Sequence, residues 1–157
     1  MPVERSWRRV AARVARRCRP DHISDSVVLP APSRLRRRSD FAAAIRNGRR
    51  AGRARLVVHL DVSRDDVADD ASHRDHLLDD GSAPARAGFV VGRAVGDAVT
   101  RNRVKRRLRH VVRGRLAALP SGARLVVRAL PSAADATSAE LARDLDSALA
   151  RVLRAAS

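Results

Sequence analysis

Residues 101–109 concentrate basic side chains in a pattern suited to binding a polyanion. The segment reads R-N-R-V-K-R-R-L-R, so six of its nine side chains are cationic. Val104 and Leu108 lie at helical spacing with Val111 and Val112, which predicts a helix with one apolar face packed on a core. The polar residues broadly opposite that face are Asn102, Arg103, Lys105, Arg106, Arg109 and Arg113. A helix that is apolar on one side and cationic on the other is typical of a nucleic-acid-binding surface.

The overall charge also points to a nucleic-acid partner. The 157 residues carry a formal net charge of +16, and all but one of the 33 cations are arginines, which can fork two hydrogen bonds to one phosphate. The only aromatic residues are Trp7, Phe41 and Phe89, so phosphate contacts should outweigh base stacking. No apolar stretch approaches the ~20 residues of a membrane span, and the single cysteine, Cys18, suits a reducing cytosol. We therefore predict a cytoplasmic protein with no membrane association.

The chain divides into an N-terminal extension and a folded domain. Residues 1–28 are rich in Arg and end in a Pro/Asp/Ser-rich stretch, which is typical of a disordered basic extension. An overlong start-site assignment and an organelle transit peptide are the alternatives for this segment. Residues 29–157 are long enough for one domain with its own core. Within them, residues 63–86 contain seven Asp, and their apolar residues do not recur at the spacing of a helix or a strand. This indicates a flexible acidic loop insertion.

The elements that must position the basic helix alternate between helices and strands. In order, they are a helix over 39–47, strands over 56–62 and 87–91, the basic helix over 97–119, a strand over 124–130 and a last helix from residue 137. A strand–helix–strand connection implies a parallel pair within a mixed sheet. The sequence therefore predicts an α+β fold, with helices packed against that sheet.

Local signals mark the ends of these helices. Ser39 is expected to cap the first helix, and Thr137 with Glu140 forms a capping box for the last one. Gly92 and Gly96 are expected to permit the turn from the second strand into the basic helix.

The sequence provides little basis for catalysis by the protein itself. His73 and His76, beside Asp75 in the acidic loop, have a spacing that metal ligands can use, but no predicted rigid element would hold them in a coordination geometry. Metal-dependent phosphodiester cleavage needs carboxylates fixed near one another on rigid elements, whereas the rigid elements predicted here carry mostly arginines. We therefore predict no catalytic residue and no metal site in this chain.

A longer pattern around the basic segment resembles that of a known family. From Arg86 to Arg109 the chain is similar to the signature of the bacterial ribonuclease P protein family, R-x-G-[aliphatic]-x-V-[small]-[K/R]-[K/R]-x-G-x-A-V-x-R-N-R-[I/V]-K-R-x-[I/L]-R. The run from Leu29 to Phe41, L-P-x-x-x-R-L-x-x-x-x-D-F, is similar to the family's usual opening. The resemblance extends to about Arg154 and so covers most of residues 29–157.

The resemblance implies a fold, a partner and a reaction. The family's fold is a two-layer α/β sandwich whose mixed four-stranded sheet carries the R-N-R helix in a left-handed βαβ crossover, against the usual hand. Its protein is the subunit of an endoribonuclease and assists a catalytic RNA in removing the 5′ leader from precursor tRNA, with the active site in the RNA. Mg²⁺ is the expected cofactor, held mainly by the RNA, and no protein partner is required.

The resemblance also assigns two groups of RNA-binding residues. Those expected to contact the catalytic RNA are Arg101, Asn102, Arg103, Lys105, Arg106 and Arg109. Arg101 falls over the apolar face, so it can reach RNA only if it lies near the start of the helix. Those expected in a leader cleft, between the first helix and the sheet, are Phe41, Ile45, His59, Phe89 and Arg93. Ile45 and His59 stand where the family often has aromatic residues, although His59 can stack on a base and, if protonated, add charge.

Two alternatives stay open on the sequence. Phe41, Ile45 and Phe89 are also explained as ordinary core residues. The alternative function is a ribosomal-type or general RNA-binding protein with no part in an enzymatic complex.

Overall fold

A mixed four-stranded sheet lies at the centre of the structure. The computed structural model describes residues 29–62 and 83–155. The strands are β1 (Arg49–Gly52), β2 (Leu56–Asp61), β3 (Arg86–Val91) and β4 (Arg124–Ala129), and the helices are α1 (Arg38–Asn47), α2 (Ala98–Leu116) and α3 (Ser138–Arg154). The spatial order is β1-β2-β4-β3, with β1–β2 and β2–β4 antiparallel and β3–β4 parallel. None of the described helices is long and apolar enough to span a bilayer.

The architecture confirms the predicted α+β class and mixed sheet. α2 connects the parallel neighbours β3 and β4, as the strand–helix–strand pattern indicates. The hand of this crossover stays a prediction. β3 begins one residue before the predicted strand, because Arg86, which the sequence analysis placed in the acidic loop, already pairs with Arg124. The predicted extension over 1–28 and most of the acidic loop, residues 63–82, lie outside the described residues.

The main core fills the space between the sheet and two helices. The alternate residues Leu56, Val58 and Leu60 of β2 face this core, as the period-two alternation of side chains along a strand requires. Leu125 and Val127 of β4 continue the same surface. The sheet and the two helices α2 and α3 thus form two adjacent layers with this core between them.

The helical side of this core comes from α2 and α3. The buried residues of α2 are Val104, Leu108, Val111, Val112 and Arg115, and those of α3 are Leu141, Leu145, Ala148, Leu149 and Val152. Burial of each large aliphatic side chain contributes about 1.5–3 kcal/mol, so the apolar face of α2 fixes how the helix is rotated about its axis. That rotation decides which side chains of α2 face outward.

Two of the predicted helix starts are confirmed and one is wrong. Asp97 caps α2, its carboxylate accepting a hydrogen bond from the backbone N–H of Thr100 at 2.7 Å. Thr137 and Glu140 form the reciprocal capping box of α3. Ser39, however, lies inside the first turn of α1, which starts at Arg38 without a side-chain cap.

One of the two glycines expected in the turn before α2 is required there. Gly96 has φ of 145°, a conformation that residues with a Cβ rarely adopt. Gly92 has φ of −79°, and an added Cβ would meet no atom within 4 Å. The backbone of this turn therefore needs glycine only at position 96.

α1 packs on the opposite face of the sheet from α2 and α3. Ala44 of α1 is fully buried with Leu35 and Val126, and Phe41 and Val90 are partly buried against them. This second, smaller cluster covers only part of that face.

The two ends of segment 63–82 meet at the start of β4. The guanidinium of Arg124 donates to the buried carboxylate of Asp61 at 2.7 Å, just before the segment begins. Just after it, the carbonyl of Ala83 accepts a hydrogen bond from the N–H of Gly122 at 2.6 Å. Both ends are therefore fixed to the start of the same strand.

Candidate nucleic-acid interfaces

The first candidate interface is the outward side of α2. We call it the R-N-R face and define it by Arg101, Asn102, Arg103, Lys105, Arg106 and Arg109. Asn102, Arg103 and Arg106 are exposed, whereas the other three residues are partly buried. Val104 and Leu108, on the opposite side, have no exposed surface. The division of the helix into an apolar and a cationic side is thus as predicted, and contact with RNA stays a prediction.

Arg101 meets the condition that the sequence analysis set for it. It is the fourth residue of α2, and its backbone N–H donates to the carbonyl of Asp97 at 2.9 Å. Its side chain lines a depression between α2 and β3, together with Asn102 and Lys105. Proximity to the helix start therefore lets Arg101 join the rest of the R-N-R face.

Two other arginines of α2 bind protein groups instead. The Arg107 guanidinium donates to the carbonyl of Ala136 at 2.6 Å. Arg115 is buried, and its guanidinium donates to both carboxylate oxygens of Asp146 on α3. These contacts fasten α2 to the α3 side of the molecule, so part of the basic block serves the fold.

The second candidate interface is the part of the sheet beside α1, which we call the α1 cleft. Arg50, His59, Val126 and Gly88 form one cross-strand row on this side. The ring of Phe41 lies directly over Gly88, where an added Cβ would overlap it. Glycine at position 88 therefore allows the aromatic ring to lie on the backbone of β3.

His59 lies at the floor of the α1 cleft. Its ring is partly buried, and its Nδ1 is buried with no hydrogen-bond partner in the described part of the chain. Burial, followed by the charges of Arg50 and Arg128, lowers the pKa of His59 from 6.5. The ring is therefore mainly neutral near pH 7 and offers a stacking surface rather than a charge.

Ile45 contributes an exposed apolar surface on α1, the helix that also carries Phe41. It follows Phe41 by one helical turn, and 48 % of its surface is exposed. Its exposure argues against the alternative of a core residue. Phe41, being partly buried, serves both packing and the cleft surface.

Two predicted cleft residues lie elsewhere. Phe89 follows Gly88 in β3, so its side chain faces the opposite side of the sheet and packs against the main core. The assignment of Phe89 to the leader cleft is therefore wrong. Arg93 is exposed in a short 3₁₀ turn, Arg93–Val95, which contacts α2. The structure thus places Phe41 and His59 on the α1 side of the sheet and leaves Ile45 exposed on α1, whereas Phe89 lies on the other side.

Two cations of the cleft, Arg50 and Arg128, were not predicted from the sequence. Both act on the His59 ring electrostatically, and both are exposed. Arg128 is the exposed residue of an otherwise buried strand, a period-two signal that could have identified it. Arg50 lies in β1, whose sequence R-R-A-G carries no strand signal.

Most carboxylates of the described residues are engaged by arginines. Ion pairs join Asp40 to Arg86, Asp61 to Arg124, Glu140 and Asp144 to Arg55, and Asp146 to Arg115. No group of three or more His, Cys, Asp or Glu in the described ranges could hold a metal ion. The histidines at 73 and 76 lie outside the described residues, and the absence of a metal site from the chain stays a prediction.

Fold and surfaces together define a class of protein. A small α+β domain presents one convex cationic helix and one cleft with exposed arginines and apolar side chains. Such surfaces suit an RNA-binding protein that works beside another macromolecule.

Comparison with known proteins identifies the family. The sequence model described as Ribonuclease P matches residues 29–153. The ribonuclease P protein component of Streptomyces bikiniensis is 58 % identical over 126 residues, which cover 80 % of this chain and 96 % of that protein. That of Salinispora tropica is 56 % identical over 125 residues, covering 78 % and 92 %. The chain belongs to the ribonuclease P protein family and is a protein subunit of that endoribonuclease, which confirms the resemblance carried by the R-N-R signature.

Solved structures share the fold. The Staphylococcus aureus RNase P protein matches with a TM-score of 0.58 at 21 % identity, covering 80 % of this chain and 95 % of that one. The Thermotoga maritima RNase P protein matches with a TM-score of 0.54 at 24 % identity, covering 77 % and 96 %. The fold class expected from the sequence is therefore confirmed.

Proposed function

We propose that this chain assists a catalytic RNA in removing the 5′ leader from precursor tRNA in the cytoplasm. The R-N-R face binds the catalytic RNA, and the α1 cleft binds the leader. The observation that carries this proposal is the division of α2 into a fully buried apolar side and an exposed cationic side.

The R-N-R face has charge available for phosphates. Arg103, Arg106 and Arg109 form no ion pair with the carboxylates of the described residues. Each phosphate that such a side chain contacts releases counterions, so binding weakens as salt rises. A convex helix of this kind can follow the backbone of a folded RNA without reading its bases.

The α1 cleft has the features of a single-strand site. Phe41 lies against its sheet surface, Ile45 is exposed one helical turn further along α1, and the neutral His59 ring lies at its floor. Arg50 and Arg128 flank the ring and can hold phosphates on either side of a base. Stacking combined with flanking cations is how proteins hold unpaired nucleotides.

Hydrolysis in this proposal depends on Mg²⁺ held mainly by the RNA. Most of the described carboxylates already bind arginines, so the protein supplies cations rather than metal ligands. Its contribution is to neutralise phosphates and to position the substrate.

The test is reconstitution with a bacterial ribonuclease P RNA and a precursor tRNA at low Mg²⁺. The protein should enhance 5′-leader removal over the RNA alone. A general RNA-binding protein would bind both RNAs without that enhancement, and this result would overturn the proposal. Heat-denatured protein at the same concentration controls for nonspecific charge.

A further inference from the structure

A depression of about 390 Å³ lies between α2 and the outer edge of β3. Residues 89–91 line one side, and Ala98, Arg101, Asn102 and Lys105 line the other. We call it the edge pocket. Its volume lies within the range of small-molecule sites and is suited to one nucleotide rather than a duplex.

The edge pocket exposes strand backbone. β3 is the last strand of the described sheet, and its outer edge is bridged only near its start, where Arg34 pairs with Ala87. Val90 packs its side chain toward the α1 side, yet it lines the pocket. Beyond Ala87 this edge of β3 has no strand partner among the described residues, and an unpaired strand edge presents N–H and C=O groups to a ligand.

The lining is chemically suited to a nucleotide. Arg101 and Lys105 supply two positive charges, and no carboxylate is among the described residues that line the pocket. Phe89 adds an aromatic ring, while Asn102 and the strand edge add hydrogen-bonding groups. Phosphate, base and sugar each have a partner of matching chemistry.

We propose that the edge pocket receives one unpaired nucleotide of the catalytic RNA, with Phe89 contacting its base and Arg101 and Lys105 its phosphates. This rests on the proposed function of the R-N-R face. The leader is not the expected occupant, because Phe89 and the α1 cleft lie on opposite sides of the sheet.

Photocrosslinking tests the occupant. Phe89 is replaced by a photoreactive benzoylphenylalanine in the full chain, which is assembled with catalytic RNA and precursor tRNA. Crosslinks should map to one or a few unpaired nucleotides of the catalytic RNA. The same reporter at Ile45 is the control and should reach the leader. Crosslinks from position 89 to the leader, or to no RNA, would overturn the pocket assignment.

Binding measurements test the contact itself. Phe89→Leu retains apolar packing and should weaken affinity for the catalytic RNA about fivefold to tenfold. The salt slope, which is the slope of the logarithm of the binding constant against the logarithm of the salt concentration, should be unchanged. Lys105→Gln should lower that slope. Thermal unfolding of Phe89→Leu checks that the fold is kept. Unchanged affinity of Phe89→Leu would refute the pocket, while the R-N-R face could still be tested through Arg106 and Arg109.

Discussion

The R-N-R face and the α1 cleft both use arginine, but they assemble it differently. On α2 the cations are close in sequence and are presented outward by one helix. In the cleft, Arg50 and Arg128 come from separate strands and are brought near His59 by the sheet register. A convex helix suits the backbone of a folded RNA, whereas a recessed surface with apolar side chains suits an unpaired strand. The two surfaces should therefore be separable by mutation.

The largest expected effect is on the R-N-R face. Arg106→Ala with Arg109→Ala should weaken binding to the catalytic RNA on the order of 10- to 100-fold at low salt, and should lower the salt slope by about 2. Binding titrations at several salt concentrations measure both quantities. Arg143→Ala with Arg151→Ala removes the same charge from exposed positions on α3. Equal losses in both double variants would show that only net charge matters.

A second variant should disturb the cleft and leave α2 intact. Gly88→Ala places a Cβ against the Phe41 ring, so the ring must move, at a cost of about 1–3 kcal/mol in the free energy of unfolding. Urea unfolding measures this cost. Gly92→Ala is the matched control, because its Cβ meets no atom within 4 Å. A loss in Gly92→Ala as large as in Gly88→Ala would contradict the packing argument.

A smaller effect is expected from one cation of the cleft. Arg128→Ala should weaken binding of precursor tRNA to the assembled enzyme several-fold, since one contact to a single strand contributes about 0.7 to the salt slope. Mature tRNA, which has no leader, should bind unchanged. Equal weakening for both tRNAs would place Arg128 outside the leader site.

The smallest expected effect is a pH dependence. Because the folded-state pKa of His59 lies below 6.5, the unfolded chain binds the proton more readily than the folded one. The contribution of neutral His59 to the free energy of unfolding is fully present above about pH 6.5. It is lost as the pH falls toward the pKa of His59 in the folded state. Urea unfolding at several pH values should therefore show that, as the pH is lowered, the free energy of unfolding declines less in His59→Gln than in the parent chain. Parallel declines would contradict this.

The parts of the fold that were predictable are those set by local sequence. The start of α2 at Asp97 and the capping box at Thr137 depend on a few neighbouring residues. Phe89 was misplaced because β3 has apolar residues facing both sides of the sheet. Its sequence therefore does not show which set of alternate residues faces α1. Arg50 was missed because only the pairing of β1 with β2 places it beside His59. The pairing register between strands that are distant in sequence therefore determines which residues line the cleft.

The anchoring of both ends of segment 63–82 at the start of β4 has a consequence for engineering. Asp61 and Ala83 are held by Arg124 and Gly122, so the two chain ends stay together whatever connects them. Each doubling of the connection's length should cost only about 0.6 kcal/mol in closure entropy. A peptide tag inserted between these anchors should leave the pairing of the four strands unchanged.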